Sequence, residues 1–138
     1  MISNLAAVTE AIDRLHADLR HTLDNPPKIS CIEAVRDDYV YLTRRDIPSP
    51  YVTSGGVDVD CPPLDVQQRL ARELCDALAS GSFGGRLSWP TCPEHGTALH
   101  ARRQDDAVLW LCRDVDHYHC VALVGSLGTK TPAEPAPG

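Results

Sequence analysis

Residues 92 to 96, Cys-Pro-Glu-His-Gly, are the stretch that most limits how this chain can fold. Two residues separate the Cys from the His, Pro93 presets a turn, and Gly96 lets the backbone double back. Zn(II) accepts thiolate and imidazole ligands in a tetrahedron, and a short turn brings two of them together with little chain entropy left to lose. Such a turn is half a site. The other half has to come from a segment that returns to the same place.

That segment follows. After the turn come a connection, the run "AVLWLC" (107–112), a polar turn and the run "YHCVALV" (118–124), both rich in residues that favour strands. A tight turn offering two ligands beside a hairpin offering two more is the layout of a zinc ribbon. Cys92 and His95 form the first pair and Cys112 is the third ligand. A regular ribbon places the fourth three residues after Cys112, where this chain has Val115.

Candidates for the fourth ligand are Asp116, His117, His119 and Cys120. With an even-numbered loop, residue 112 opposite 117 selects His117, and 112 opposite 119 selects His119; both registers turn Cys120 to the other face. An odd loop restores Cys120. His117 ranks first and His119 second, because two thiolates and two imidazoles balance the charge of the metal. The expected centre is therefore Cys92, His95, Cys112 and His117, holding one structural Zn(II). The plain alternative is that Cys92 and Cys112 are buried core residues and the histidines are surface polars.

The chain around this motif is 138 residues long with a net charge of −6, carrying 13 basic and 19 acidic residues. A length of this order suits a single domain with its own core. Residues 1–85 carry −5 and residues 86–138 carry −1, so neither part offers the positive field that a phosphate backbone requires. The opening "MISNLAAVTEAIDRL" has no positive leader, and no run approaches the roughly 18 apolar residues of a membrane span. A cytoplasmic protein is expected, in which the six Cys are reduced and are to be read first as core residues or ligands.

Periodicity predicts the remaining elements. Leu5, Val8, Ile12, Leu15, Leu19 and Leu23 fall at helical spacing between Ser3, a capping residue, and Asn25-Pro26-Pro27, a stop. "KISCIEAV" and "YVYLTR" read as a hairpin turning at Arg36-Asp37-Asp38. Residues 46–64, with four Pro and two adjacent Gly, form an irregular connection with one short strand around Val57 and Val59. Asp65 with Gln68 resembles a capping box opening a second helix, which Gly81 ends. The fold class is α+β: helix, hairpin, helix and a ribbon-like β module. Residues 1–127 form one domain with 86–127 as a subdomain, and 128–138 are a disordered tail.

"WPTCPEHG", then "WLC" and "VALVGSL", preceded by the helix "LDVQQRLARELCDAL", resemble a group of small uncharacterised proteins of high-GC Gram-positive bacteria. The shared pattern is W-P-x-C-P-x-H, then W-x-C-P, then I/V-G-x-L. It covers residues 65–127, with Trp89, Cys92, Pro93, His95, Trp110, Cys112, Gly125 and Leu127 in matching positions. Arg113 stands where the pattern has Pro, and the His-rich stretch 117–119 is unusual for it. The resemblance implies the architecture and carries no activity.

The other reactive residues have ordinary readings. Cys75 and Cys31 are expected in the core, Cys61 is incidental in a loop, His16 and His21 are solvated, and His100 is a reserve ligand. Asp37-Asp38 makes a turn that, with Asp58 and Asp60, could form an acidic face. Three function classes follow. The first is a non-enzymatic interaction or accessory protein with an unidentified protein partner and a structural zinc. The second is a metalloenzyme with three protein ligands and a zinc-bound water, with Glu94 as base. The third is a nucleic-acid-binding ribbon using Arg86, Arg102, Arg103 and Arg113, whose charge Glu94, Asp105, Asp106, Asp114 and Asp116 offset.

Overall fold

The computed structural model describes residues 3–46, 56–114 and 117–128, with the backbone alone for 114, 117 and 118. Two helices and two small antiparallel sheets make an α+β fold. Helix α1 (Leu5–Thr22) is followed by strands β1 (Ile29–Glu33), β2 (Tyr39–Arg44) and β3 (Val57–Asp58), which pair in the order β1-β2-β3. Helix α2 (Pro63–Ser80) leads to β4 (Leu99–Gln104), β5 (Ala107–Asp114) and β6 (His117–Leu123), paired β4-β5-β6. Among the described residues no helix is long and apolar enough to cross a membrane. The expected tail lies outside the described residues beyond Gly128.

The first hairpin forms as its sequence predicts, with Ile29 opposite Arg44 and Glu33 opposite Val40. Asp38 adopts the left-handed conformation at its turn, and Val57 adds the third strand opposite Val40. Helix starts differ from expectation. Ser3 does not cap α1: its amide and hydroxyl donate to the Asp38 carboxylate at 2.8 and 2.9 Å, and Asn4 is the N-cap residue. Helix α2 begins at Pro63, not at Asp65, and no side chain caps it. Asp65 instead pairs with Arg103 at 3.0 Å, and Gln68 accepts the Arg103 amide, so the supposed capping pair ties the helix to β4.

Helix α2 touches both sheets, β2 and β3 of the first and β4 and β5 of the second. Val66, Leu70, Ala71, Leu74, Ala77 and Leu78 supply its buried stripe. One continuous core joins these residues to Val8, Leu15 and Leu19 of α1, Val40 and Leu42 of β2, and Leu99, Val108 and Trp110 of the second sheet. Leu5, counted in the apolar stripe of α1, is instead exposed, and Asp18 takes a place in the buried stripe.

Asp18 is fully buried, and its carboxylate bonds to the C-terminal half of the chain. Its Oδ2 accepts the Trp110 indole N–H at 2.9 Å and the Gly125 amide at 2.8 Å, while Oδ1 accepts the Leu127 amide at 2.8 Å. Gly125 takes a φ of +102°, which aims its amide at the carboxylate and which a side chain would strain. Nearby, the Trp89 indole donates to Thr22 Oγ1 at 2.9 Å and its ring meets Trp110 edge-on, 5.6 Å between centroids. The second sheet is thus docked on α1 through both indoles.

Burial pushes the Asp18 carboxyl above its ordinary value, outweighing the three N–H donors that favour its charge. A folded value above the unfolded one means that the folded state holds the extra proton. The contribution of Asp18 is then complete below the unfolded value and is lost as pH rises through the folded one. Carbon-detected NMR titration should place its midpoint above the ordinary value of an aspartate carboxyl. At neutral pH, Asp18→Ala leaves three buried N–H groups without a partner and should cost about 3 kcal/mol or more in urea unfolding.

Candidate metal centre

The turn at Cys92 closes as its sequence requires. The Gly96 amide donates to the Cys92 carbonyl and the Cys92 amide to the Thr97 carbonyl, both at 2.8 Å, and Thr91 bridges Ala98 across the neck. Gly96 has a φ of +72°, so the chain reverses there without strain. The Leu99 amide then donates to the Pro90 carbonyl at 2.8 Å, which feeds the neck directly into β4. Strand β4 carries buried Leu99 and Ala101 alternating with exposed His100 and Arg102.

Strand β5 brings the third group. Leu99 lies opposite Cys112 and Ala101 opposite Trp110, so Cys112 and Trp110 share the buried face of the sheet. On the other side β6 pairs His119 with Cys112 and His117 with Asp114. This is the second of the two even-loop registers. Cys92 and Cys112 are buried, and His95 and His119 are partly buried.

The four ligand atoms lie within 4.8 Å of one another, so the cluster could hold a metal ion. Cys92 Sγ is 3.4 Å from His95 Nδ1 and 3.6 Å from His119 Nε2, and Cys112 Sγ is 3.3 Å from His95 Nδ1. The two rings stand nearly perpendicular, 72° apart with centroids 5.3 Å apart, so their nitrogens approach a common centre from different directions. Thr97 Oγ1 lies 3.5 Å from Cys112 Sγ, where its hydroxyl can donate to a thiolate. Exposed Glu94 reaches the rim, with Oε1 3.9 Å from His119 Nε2.

Three of the four expected residues, Cys92, His95 and Cys112, are therefore brought together, and His119 joins them. The side chain of His117, ranked first for that place, lies outside the described residues. What selects position 119 is a β-bulge. Leu109 pairs with Leu123 and Trp110 with Ala122, but Leu111 pairs with Cys120, leaving Val121 as the extra residue. Without that extra residue the first two pairings would continue to Cys112 opposite Cys120. A bulge shifts every later pair by one residue and so exchanges the faces. Cys120 is accordingly exposed, its thiol 3.9 Å from the Ala122 carbonyl.

The remaining candidates fall elsewhere. His100 is exposed on β4 opposite Leu111, away from the cluster. Burial pushes the thiols of Cys31 and Cys75 up to about 12, with Asp76 adding to the effect at Cys75, and burial also raises Cys61. Thiols so raised are not nucleophiles near neutral pH. No protein-family model matches the chain, and neither a curated protein nor a solved structure matches it.

The register yields a direct test. His119→Ala should weaken metal binding by at least the roughly 10–100-fold typical of losing a supporting outer-shell residue, whereas Cys120→Ser should leave it unchanged. Competition with a chromophoric chelator measures both. Loss of the metal in Cys120→Ser together with retention in His119→Ala would show that the bulge does not set the register.

Proposed function

We propose that the cluster is a structural zinc site and that the protein is a small non-enzymatic interaction or accessory protein whose C-terminal sheet the metal staples. The closed ligand set carries this reading. Tetrahedral zinc, with Zn–S near 2.3 Å and Zn–N near 2.0–2.1 Å, sets S···N edges of about 3.6 Å. Three of the four S···N separations are 3.4, 3.6 and 3.3 Å, close to those edges. Two thiolates cancel the charge of the ion, and soft sulfur with imidazole favours zinc over the hard cations.

A catalytic zinc keeps one position for water and takes three protein ligands. Here His119 fills the fourth corner, so Glu94 at the rim would have no metal-bound water to deprotonate. The high values of the Cys31 and Cys75 thiols also speak against a cysteine nucleophile. A net charge of −6 weighs against a nucleic-acid backbone and favours a protein partner. The W-P-x-C-P-x-H and W-x-C pattern shared with the Gram-positive group supplies Cys92, His95 and Cys112, which is consistent with a common structural role.

The expected stoichiometry is one zinc per chain in protein purified without chelator, read by elemental analysis. Cys92→Ser or Cys112→Ser should abolish binding and lower the melting temperature, while Cys75→Ser should retain the metal. Chelation should loosen residues 89–120 in hydrogen exchange and spare α1 and the first hairpin, because much of a structural site's binding energy is folding energy. Chelated protein with unchanged exchange and melting would rule out a structural role.

A further inference from the structure

A cleft of about 500 Å³ opens between the C-terminal half of α1 and the end of the first hairpin, remote in sequence from the metal cluster. His16, Arg20, Lys28 and Arg45 line it together with Pro26, Pro27 and Ile29. Three cations around one cleft stand out in a chain whose net charge is −6. Lys28 and Arg45 are moreover direct cross-strand neighbours: the Arg45 amide donates to the Lys28 carbonyl at 2.7 Å, one step beyond the Ile29–Arg44 pair. Like charges placed opposite each other destabilise a sheet.

Arg44, the next residue, shows how the fold satisfies a guanidinium here. It forks onto Asp46 at 2.8 and 2.9 Å and donates to the Phe83 carbonyl at 2.9 Å. Asp46 also accepts the Lys28 amide at 3.1 Å, so this carboxylate is already engaged. Among the described residues the charged ends of Arg20, Lys28 and Arg45 have no such acid. Asp13 is the acid that acts on His16. His16 was expected to be solvated; instead its Nε2 accepts the Ile29 amide at 3.0 Å, so the proton sits on Nδ1 and the neutral ring keeps one N–H donor. Burial, with Arg20 adding, holds its pKa below the usual value, in keeping with that neutral form.

We propose that this cleft binds a small organic phosphate, with its phosphoryl oxygens on Arg20, Lys28 and Arg45 and its organic part against Pro26, Pro27 and Ile29. The cleft has the size of small-molecule sites. A phosphate monoester offers three terminal oxygens and close to two negative charges, matching three cations drawn from separate backbone segments. A carboxylate offers two oxygens and one charge. The cleft shares no residue with the metal cluster, so this proposal and the zinc reading stand or fall separately.

Isothermal titration of the full chain at low salt with phenyl phosphate, inorganic phosphate and benzoate tests it. Phenyl phosphate should bind one per chain, with amide shifts at Lys28, Ile29 and Arg45. Benzoate should be at least about tenfold weaker, the scale of one lost charge-assisted contact, and inorganic phosphate should fall between them. Arg20→Gln and Arg45→Gln, both at exposed positions, should each weaken phenyl phosphate about tenfold or more, while Arg102→Gln on the distant β4 should not. Melting curves confirm that the variants are folded. Absence of saturable binding, equal binding of benzoate, or equal losses in Arg102→Gln and Arg20→Gln would overturn the proposal. Inorganic phosphate matching phenyl phosphate would overturn the role given to the apolar wall.

Discussion

A buried carboxylate with three N–H partners is the interaction on which the arrangement of the two halves depends. Asp18 lies on the apolar face of α1, and its bonds to Trp110, Gly125 and Leu127 span 92 to 109 positions of sequence. Hydrophobic contact is non-directional and would let the second sheet slide over the helix. Three hydrogen bonds to two oxygens allow only one placement. That specificity has a cost, since the raised carboxyl shows burial outweighing the hydrogen bonds in the balance between charged and neutral forms.

The Cys2His2 cluster, which could hold a metal ion, and the Asp18 hub meet the same strand at adjacent points. Trp110 and Cys112 sit two residues apart on one face of β5, the first bonded to Asp18 and the second part of the cluster. The C-terminal motif divides accordingly. Cys92, His95 and Cys112 belong to the cluster that could hold a metal, whereas Trp89, Trp110, Gly125 and Leu127 dock the sheet on α1 through Thr22 and Asp18. Half of what reads as a metal motif is therefore a docking motif.

Much of this was legible in the sequence because periodicity and turn chemistry act locally. Both helices, the first hairpin, the Gly81 stop and the Cys92–His95 turn follow from spacing, Pro and Gly alone. What was missed depends on contacts between distant residues. Asp18 stood at a stripe position, three residues after Leu15, and that misplaced charge was the available signal. Ser3 and Asp65 look like caps, yet each spends its side chain on another element. The fourth member of the cluster was undecidable from residue types, because four nearby residues, Asp116, His117, His119 and Cys120, are all of types that can bind zinc. The Val121 bulge that places His119 opposite Cys112 leaves no local mark: Val suits a regular strand as well as a bulged one.

The position of the bulge explains how one face of a short hairpin serves two purposes. Between Ala122, opposite Trp110, and His119, opposite Cys112, β6 advances three residues while β5 advances two. On a regular strand an advance of three would carry a side chain to the opposite face. The bulge absorbs the extra residue, so a small Ala sits beside the indole that meets Asp18 and an imidazole sits beside the thiol of the cluster. It also leaves Cys120 on the opposite face, exposed and apart from the cluster. Which residues meet in the cluster is thus decided by backbone register as much as by residue type, and the register must hold before two thiols and two imidazoles lie within reach of one another.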